Sequence, residues 1–224
     1  MPNKVDIIVD SNALSHLASI SIALNKEMPH KWLWKLFNVY ICKSIKDEFL
    51  TNIDKAPANS KAIGKVLVKN KSAVITASHT DTLERKWLSG HYYKKTLAKS
   101  DQGERHMVCV SAEMVYLALK GRLIIVTDDQ TAVEGFITNV LNDNKFADVW
   151  TTLDLIIYMF YSFKEVSEDF AKDAVRDIGS MTSYSIKKYK RAGGQSDAET
   201  RLLIVKDYHN RIHNIKRIRT LIAR

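Results

Sequence analysis

Two stretches of this chain end an apolar run on acids. Residues 5–14, V-D-I-I-V-D-S-N-A-L, carry the β-branched run Ile7, Ile8 and Val9 and stop at Asp10, and residues 123–129, L-I-I-V-T-D-D, end on Thr127, Asp128 and Asp129. A short continuous apolar run reads as a strand buried on both faces, so each set of acids falls at the carboxyl end of a central strand, the edge where open α/β sheets bind ligands. Ser11 and Asn12 are placed to cap the next helix and to steady Asp10. Neighbouring carboxylates raise each other's pKa and call for a compensating cation, and hard oxygen donors suit Mg²⁺ or Mn²⁺. Two strand-end acid sets on one edge therefore suggest a metal site, although either stretch alone reads equally well as a helix cap.

Further acids sit where helices begin or flank the sheet. Glu48 lies in a helix that Ser44 is expected to cap, with Ile45 and Phe49 toward the core, which leaves Glu48 on the flank within reach of the sheet edge. Asp101 and Glu104 are three apart in the first turn of the helix that follows Ser100 and so share a face; the helix dipole also favours acids there.

Strands and helices alternate along the elements that must hold these acids. Strands are expected at 5–9, 39–41, 73–76, 123–126 and 147–150. Helices are expected from 13, with Pro29 closing that region, and at 31–37, 44–49, 81–88 (Asp81 and Glu84 at capping-box spacing), 101–118, 131–141 and 153–163. This alternation, without internal repeats or a Gly- or Ser-rich linker, predicts a parallel sheet covered by helices.

The composition narrows the class. With 224 residues and 46% hydrophobic content the chain builds a substantial core. No apolar run reaches the roughly 18 residues that cross a bilayer, and the N-terminus lacks the apolar segment of a signal peptide, so a cytoplasmic location without a membrane partner is expected. Cys42 and Cys109 are too few for a disulfide framework or a cysteine zinc site and read as buried free thiols. The net charge of +9 points to an anionic partner. Most of it is C-terminal, since residues 186–224 hold eleven Lys or Arg against three acids.

Taken in series, I-I-V-D-S-N at 7–12, V-Y-I-C-K-S-I-K-D-E-F at 39–49, S-D-Q-G-E at 100–104 and L-I-I-V-T-D-D at 123–129 resemble the PIN-domain (PilT N-terminus-like) family of metal-dependent nucleases. The resemblance covers about residues 5–163. It implies a three-layer α/β/α domain with a central parallel sheet over 1–163, followed by a helical, basic C-terminal extension over 164–224. It also implies hydrolysis of phosphodiesters, of RNA more often than DNA, by in-line attack of water with Mg²⁺ or Mn²⁺ as cofactor. The family's acids fall on Asp10, Glu48, Asp101 and Asp129, with Asn12 and Thr127 in support. Glu104 and Asp128 are additional candidate ligands, and either Asp128 or Asp129 could face the metal. By the same analogy, a toxin paired with an antitoxin, or a defence nuclease, is a natural biological role; another protein partner and a homo-oligomer remain open.

Two other classes compete. In a haloacid-dehalogenase-like phosphatase Asp10 would be the nucleophile, with Thr76, Lys99 and the Asp128–Asp129 pair completing the order, but the usual second acid two residues on is Asn12 here. In a non-catalytic nucleic-acid-binding module the acids would be structural and the tail would carry the function. His209 and His213, four apart, read as exposed or phosphate-facing rather than metal-binding.

The tail itself interleaves aromatics with cations. Tyr184 and Tyr189 alternate with Lys187, Lys188, Lys190 and Arg191, a pattern suited to stacking on unpaired bases and holding phosphates. Beyond Gly193 and Gly194 a helix is expected from Ser196 or Asp197. Its apolar face would hold Leu202, Val205, Tyr208, Ile212, Ile215, Ile218 and Ile222, and its basic face Lys206, Arg211, Lys216, Arg217 and Arg219.

Overall fold

The structure, a computed structural model, describes residues 4–24, 29–53, 61, 64–65, 74–75, 79–88, 102–117, 121, 123–129, 137–179 and 196–222. Val5–Val9 forms β1, the middle strand of a five-stranded sheet in the order β3-β2-β1-β4-β5, where β2 is Phe37–Cys42, β3 Val74–Ile75, β4 Leu123–Val126 and β5 Ala147–Trp150. Every pairing is parallel. Ile7 stands between Val39 and Ile124, and Ile8 between Tyr40 and Ile125, which is why Ile7, Ile8 and Val9 have no exposed surface. Each such side chain contributes roughly 1.5–3 kcal/mol by burial, so the strand ahead of Asp10 is firmly anchored.

Parallel pairing puts all five carboxyl ends on one edge. The chain moves outward from β1 through β2 to β3, then crosses to the far side of β1 for β4 and β5. The order therefore reverses between β1 and β4, and the crevice at that reversal is the usual ligand position in such sheets. Asp10 follows β1 and Thr127 follows β4, one on each side of it.

The helices are α1 Ser11–Leu24, α2 Pro29–Leu36, α3 Lys43–Thr51, α4 Thr80–Thr82 running on as a π-helical turn Leu83–Leu88, α5 Gln102–Tyr116, α6 Thr138–Asn144, α7 Thr152–Ser162, α8 Glu168–Gly179 and α9 Asp197–Ile222. Helices α1, α2, α7, α8 and α9 pack together, and so do α3, α4, the π turn and α5, with α3 also packed against α1. This is an α/β fold consistent with a three-layer α/β/α arrangement.

Several local expectations need correction. Pro29 opens α2 instead of closing α1, as its fixed φ and missing N–H allow at a first helical position. Cys42 precedes α3 without a side-chain cap, and Ser44 lies inside that helix. His79 precedes α4 without a side-chain cap, and Glu84 is buried in an ion pair instead of closing a capping box with Asp81. A capping box does occur at α7, where the Thr151 hydroxyl accepts the Asp154 N–H and the Asp154 carboxylate accepts the Thr151 N–H. Cys42 and Cys109 are buried free thiols, as expected.

Residues within 164–179 and 196–222 contribute to the main core. Ala171, Ala174, Val175 and Ile178 of α8 and Ile204, Tyr208 and Ile212 of α9 are buried within the same apolar cluster as β1. Ser196 and Glu199 bond reciprocally at the start of α9, fixing its first turn. Its buried seam runs through Thr200, Ile204, Tyr208 and Ile212, with Ile215 packed against the core. Leu202 lies two positions from Ile204, about 200° around the helix, and is 71% exposed; Ile218 is 51% exposed. The expected apolar face was thus set wrongly at these two residues.

Candidate active site

Asp10 is 2% exposed at the end of β1, and its backbone N–H donates to the Val126 carbonyl at 2.9 Å, which fastens it to the end of β4. Its Oδ1 accepts the Ser11 N–H at 2.6 Å. The Ser11 hydroxyl, 3.4 Å from that oxygen, donates to Glu48 Oε1 at 2.8 Å. Asp10 Oδ2 accepts the Thr127 hydroxyl at 2.9 Å, and the same Thr127 oxygen accepts the Asp129 N–H at 3.1 Å. One serine and one threonine thus link Asp10, Glu48 and the Asp129 backbone.

The electrostatics follow from this geometry. Burial pushes the Asp10 carboxyl up to about 6, the bonds from Thr127 and Ser11 oppose that rise, and the charges of Glu48 and Asp129 add to it. Asp10 is therefore a buried acid facing two more acids. Asn12 is exposed on the first turn of α1, next to this group, and Thr127 is fully buried in its supporting position.

Asp128 and Asp129 are used differently. Asp128 is 2% exposed; its Oδ1 accepts the Thr152 N–H at 2.9 Å, and its Oδ2 accepts the Thr152 hydroxyl and stands 2.6 Å from His16 Nδ1. Those contacts tie β4 to the first turn of α7 and to α1. Asp129 is half-buried.

Glu104 is half-buried in the first turn of α5. Gly103 beside it is buried against α3: a Cβ there would come 2.5 Å from Ile45 Cδ1 and 3.5 Å from Glu48 Oε2. Glycine is what lets the start of α5 approach Ile45 of α3 this closely. Asp101 lies outside the described residues, as do Thr76 and Lys99 of the phosphatase reading and Tyr184, Lys187, Lys188, Tyr189, Lys190 and Arg191 of the tail.

The donor set fits a hard divalent cation. Each Asp10 oxygen has one strong donor from the chain and retains lone-pair capacity, as an oxygen ligand to a hard cation requires. The carboxylates of Asp10, Glu48 and Asp129 do not gather as closely as another group does. Among the described residues, that group is Asp81, Glu84 and His106, whose ligand atoms all lie within 4.8 Å of one another and could hold a metal ion.

This second cluster escaped the sequence reading. Asp81 and Glu84 are a turn apart on α4 and the π turn, and their D-x-x-E spacing was the only available signal; His106, from α5, joins them only through tertiary packing. The histidines of α9 are also clearer in the fold. His213 is exposed, while His209 is half-buried and its Nε2–H donates to the Lys172 carbonyl at 3.0 Å, so that ring anchors α9 to α8.

No helix among the described residues is long and apolar enough to cross a membrane. Comparison with family models, with curated proteins and with solved structures gives no match.

Proposed function

We propose that the chain is a metal-dependent nuclease, an endoribonuclease acting on single-stranded or structured RNA, with Asp10, Glu48, Asp101 and Asp129 as its acids. The observation that carries this reading is the linked pair of Asp10 and Glu48, bridged by Ser11 at the sheet's reversal point, with Thr127 holding Asp10 from the other side. Glu48 and Asp129 both raise the Asp10 pKa electrostatically, as members of one site would.

A bound Mg²⁺ or Mn²⁺ would supply the positive charge that activates water and stabilises the leaving oxygen. Asp10 would be the fixed ligand, because burial and its donors leave it little freedom. Glu48, exposed on α3 and bonded to Ser11, can swing toward the same point, with Asp129, whose charge acts on Asp10, and Glu104 as further candidate ligands. Thr127 would hold the Asp10 carboxylate and the Asp129 backbone at a set spacing. Asp128 is assigned to the fold, since its hydrogen bonds already serve α7 and α1.

The preference for RNA rests on the family resemblance, and the concentration of cations in residues 186–224 suits a nucleic acid of either kind. Arg211 and Lys216 are partly engaged within the chain, with Asp207 at 2.8 Å and Glu168 at 2.6 Å, and the 187–191 cluster is the proposed phosphate-binding segment. The test is metal-dependent digestion of RNA and DNA panels by the wild type and by Asp10→Asn.

A further inference from the structure

We propose that Asp81, Glu84 and His106 form a second metal site, separate from the Asp10 group, that takes Zn²⁺ in preference to Mg²⁺. Ligand spacing supports it first. Glu84 Oε2 lies 3.3 Å from His106 Nε2. A direct charge-assisted N–H···O contact is expected at about 2.7–2.9 Å, and Glu84 makes such a contact with Arg105 Nε at 2.6 Å. Zinc bonds of about 2.0–2.1 Å in a tetrahedron put adjacent ligands about 3.3 Å apart. The separation between the two accommodates a shared zinc ion.

Both ligands are also held from behind. Arg105 takes Glu84 Oε1 and thereby turns Oε2 toward His106. Ser44 Oγ lies 3.1 Å from His106 Nδ1; with Nδ1–H donating to it, Nε2 presents its lone pair to the cluster. Oriented carboxylates and imidazoles of this kind are how metal ligands are fixed. Asp81 is exposed, and its oxygen is within 4.8 Å of the other two ligand atoms, so a rotamer change closes the third bond and leaves a fourth position for water. An imidazole with two carboxylates favours zinc over magnesium, which seeks all-oxygen octahedral surroundings.

The ion would join three elements. Asp81 and Glu84 come from α4 and its π turn, His106 from α5, and Ser44 is the α3 residue one helical turn before Glu48. Zinc here would brace the α3–α5 pair, where Gly103 meets Ile45 and Glu48, without entering the Asp10 group.

Calorimetric titration of the metal-stripped full chain with Zn²⁺, in excess Mg²⁺ to occupy all-oxygen sites, tests this independently of nuclease activity. The expected result is one Zn²⁺ per chain and a raised unfolding temperature in both the wild type and Asp10→Asn. His106→Gln should lose the binding, and Asp81→Asn, a surface change that keeps the fold, should weaken it at least ~10-fold. Failure of the folded wild type to bind zinc, undiminished binding by Asp81→Asn, or loss of binding in Asp10→Asn would each overturn the proposal.

Discussion

Asp128 holds the first turn of α7 by accepting the Thr152 N–H at 2.9 Å on Oδ1 and the Thr152 hydroxyl on Oδ2, which also stands against His16 of α1. A carboxylate used in this way has a structural duty in the fold. Replacing Asp128 with Ala should cost roughly 2–4 kcal/mol, for a lost cap and lost buried hydrogen bonds to a charged group. Asp129→Asn should cost less stability than Asp128→Ala while abolishing metal-dependent cleavage. Chemical denaturation of the two variants beside activity per folded molecule separates the roles; equal destabilisation by both would refute the division.

Asp10 makes the metal-free protein sensitive to pH. Its carboxyl is raised from 3.8 to about 6 on folding, mainly by burial. A raised acid favours the folded state only while protonated, so stability is lost as pH climbs from about 4 through 6 and stays lost above that. The shift corresponds to about 3 kcal/mol at neutral pH. Asp10→Asn cannot ionise and should therefore be more stable than wild type at pH 7 in metal-free buffer, with a flatter profile between pH 4 and 6. Unfolding midpoints across that range check this, and an Asp10→Asn profile with the same slope as wild type would contradict it.

Much of this arrangement was legible in the sequence, for reasons that can be located. The apolar runs ending at Val9 and Val126 mark strands buried on both faces, and parallel pairing does the rest by bringing their carboxyl ends together. Glu48 was placed by helical spacing from Ile45 and Phe49, both of which are buried. The duties of Asp128 were not legible, because His16 and Thr152 are remote in sequence and meet it only in the fold. The same is true of Glu84, whose partner Arg105 is 21 residues away, and of Leu202, which local periodicity could not distinguish from Ile204.

The tail makes an electrostatic prediction. If Lys187, Lys188, Lys190 and Arg191 contact phosphates of single-stranded RNA, changing all four to Gln should weaken binding and reduce the slope of log K against log salt by up to about 3. Binding isotherms at several salt concentrations measure it. An unchanged slope would assign the segment to protein contacts instead.

The central claim is that Asp10 anchors a metal-dependent nuclease site, and the most direct measurement is the rate of single-stranded RNA cleavage with added Mg²⁺ or Mn²⁺, compared between wild type and Asp10→Asn at matched folded concentration. The account predicts cleavage by the wild type that chelation stops and fresh metal restores, and none by the folded Asp10→Asn variant. Cleavage by Asp10→Asn at the wild-type rate, or no metal-dependent cleavage of RNA or DNA by the wild type, would contradict it.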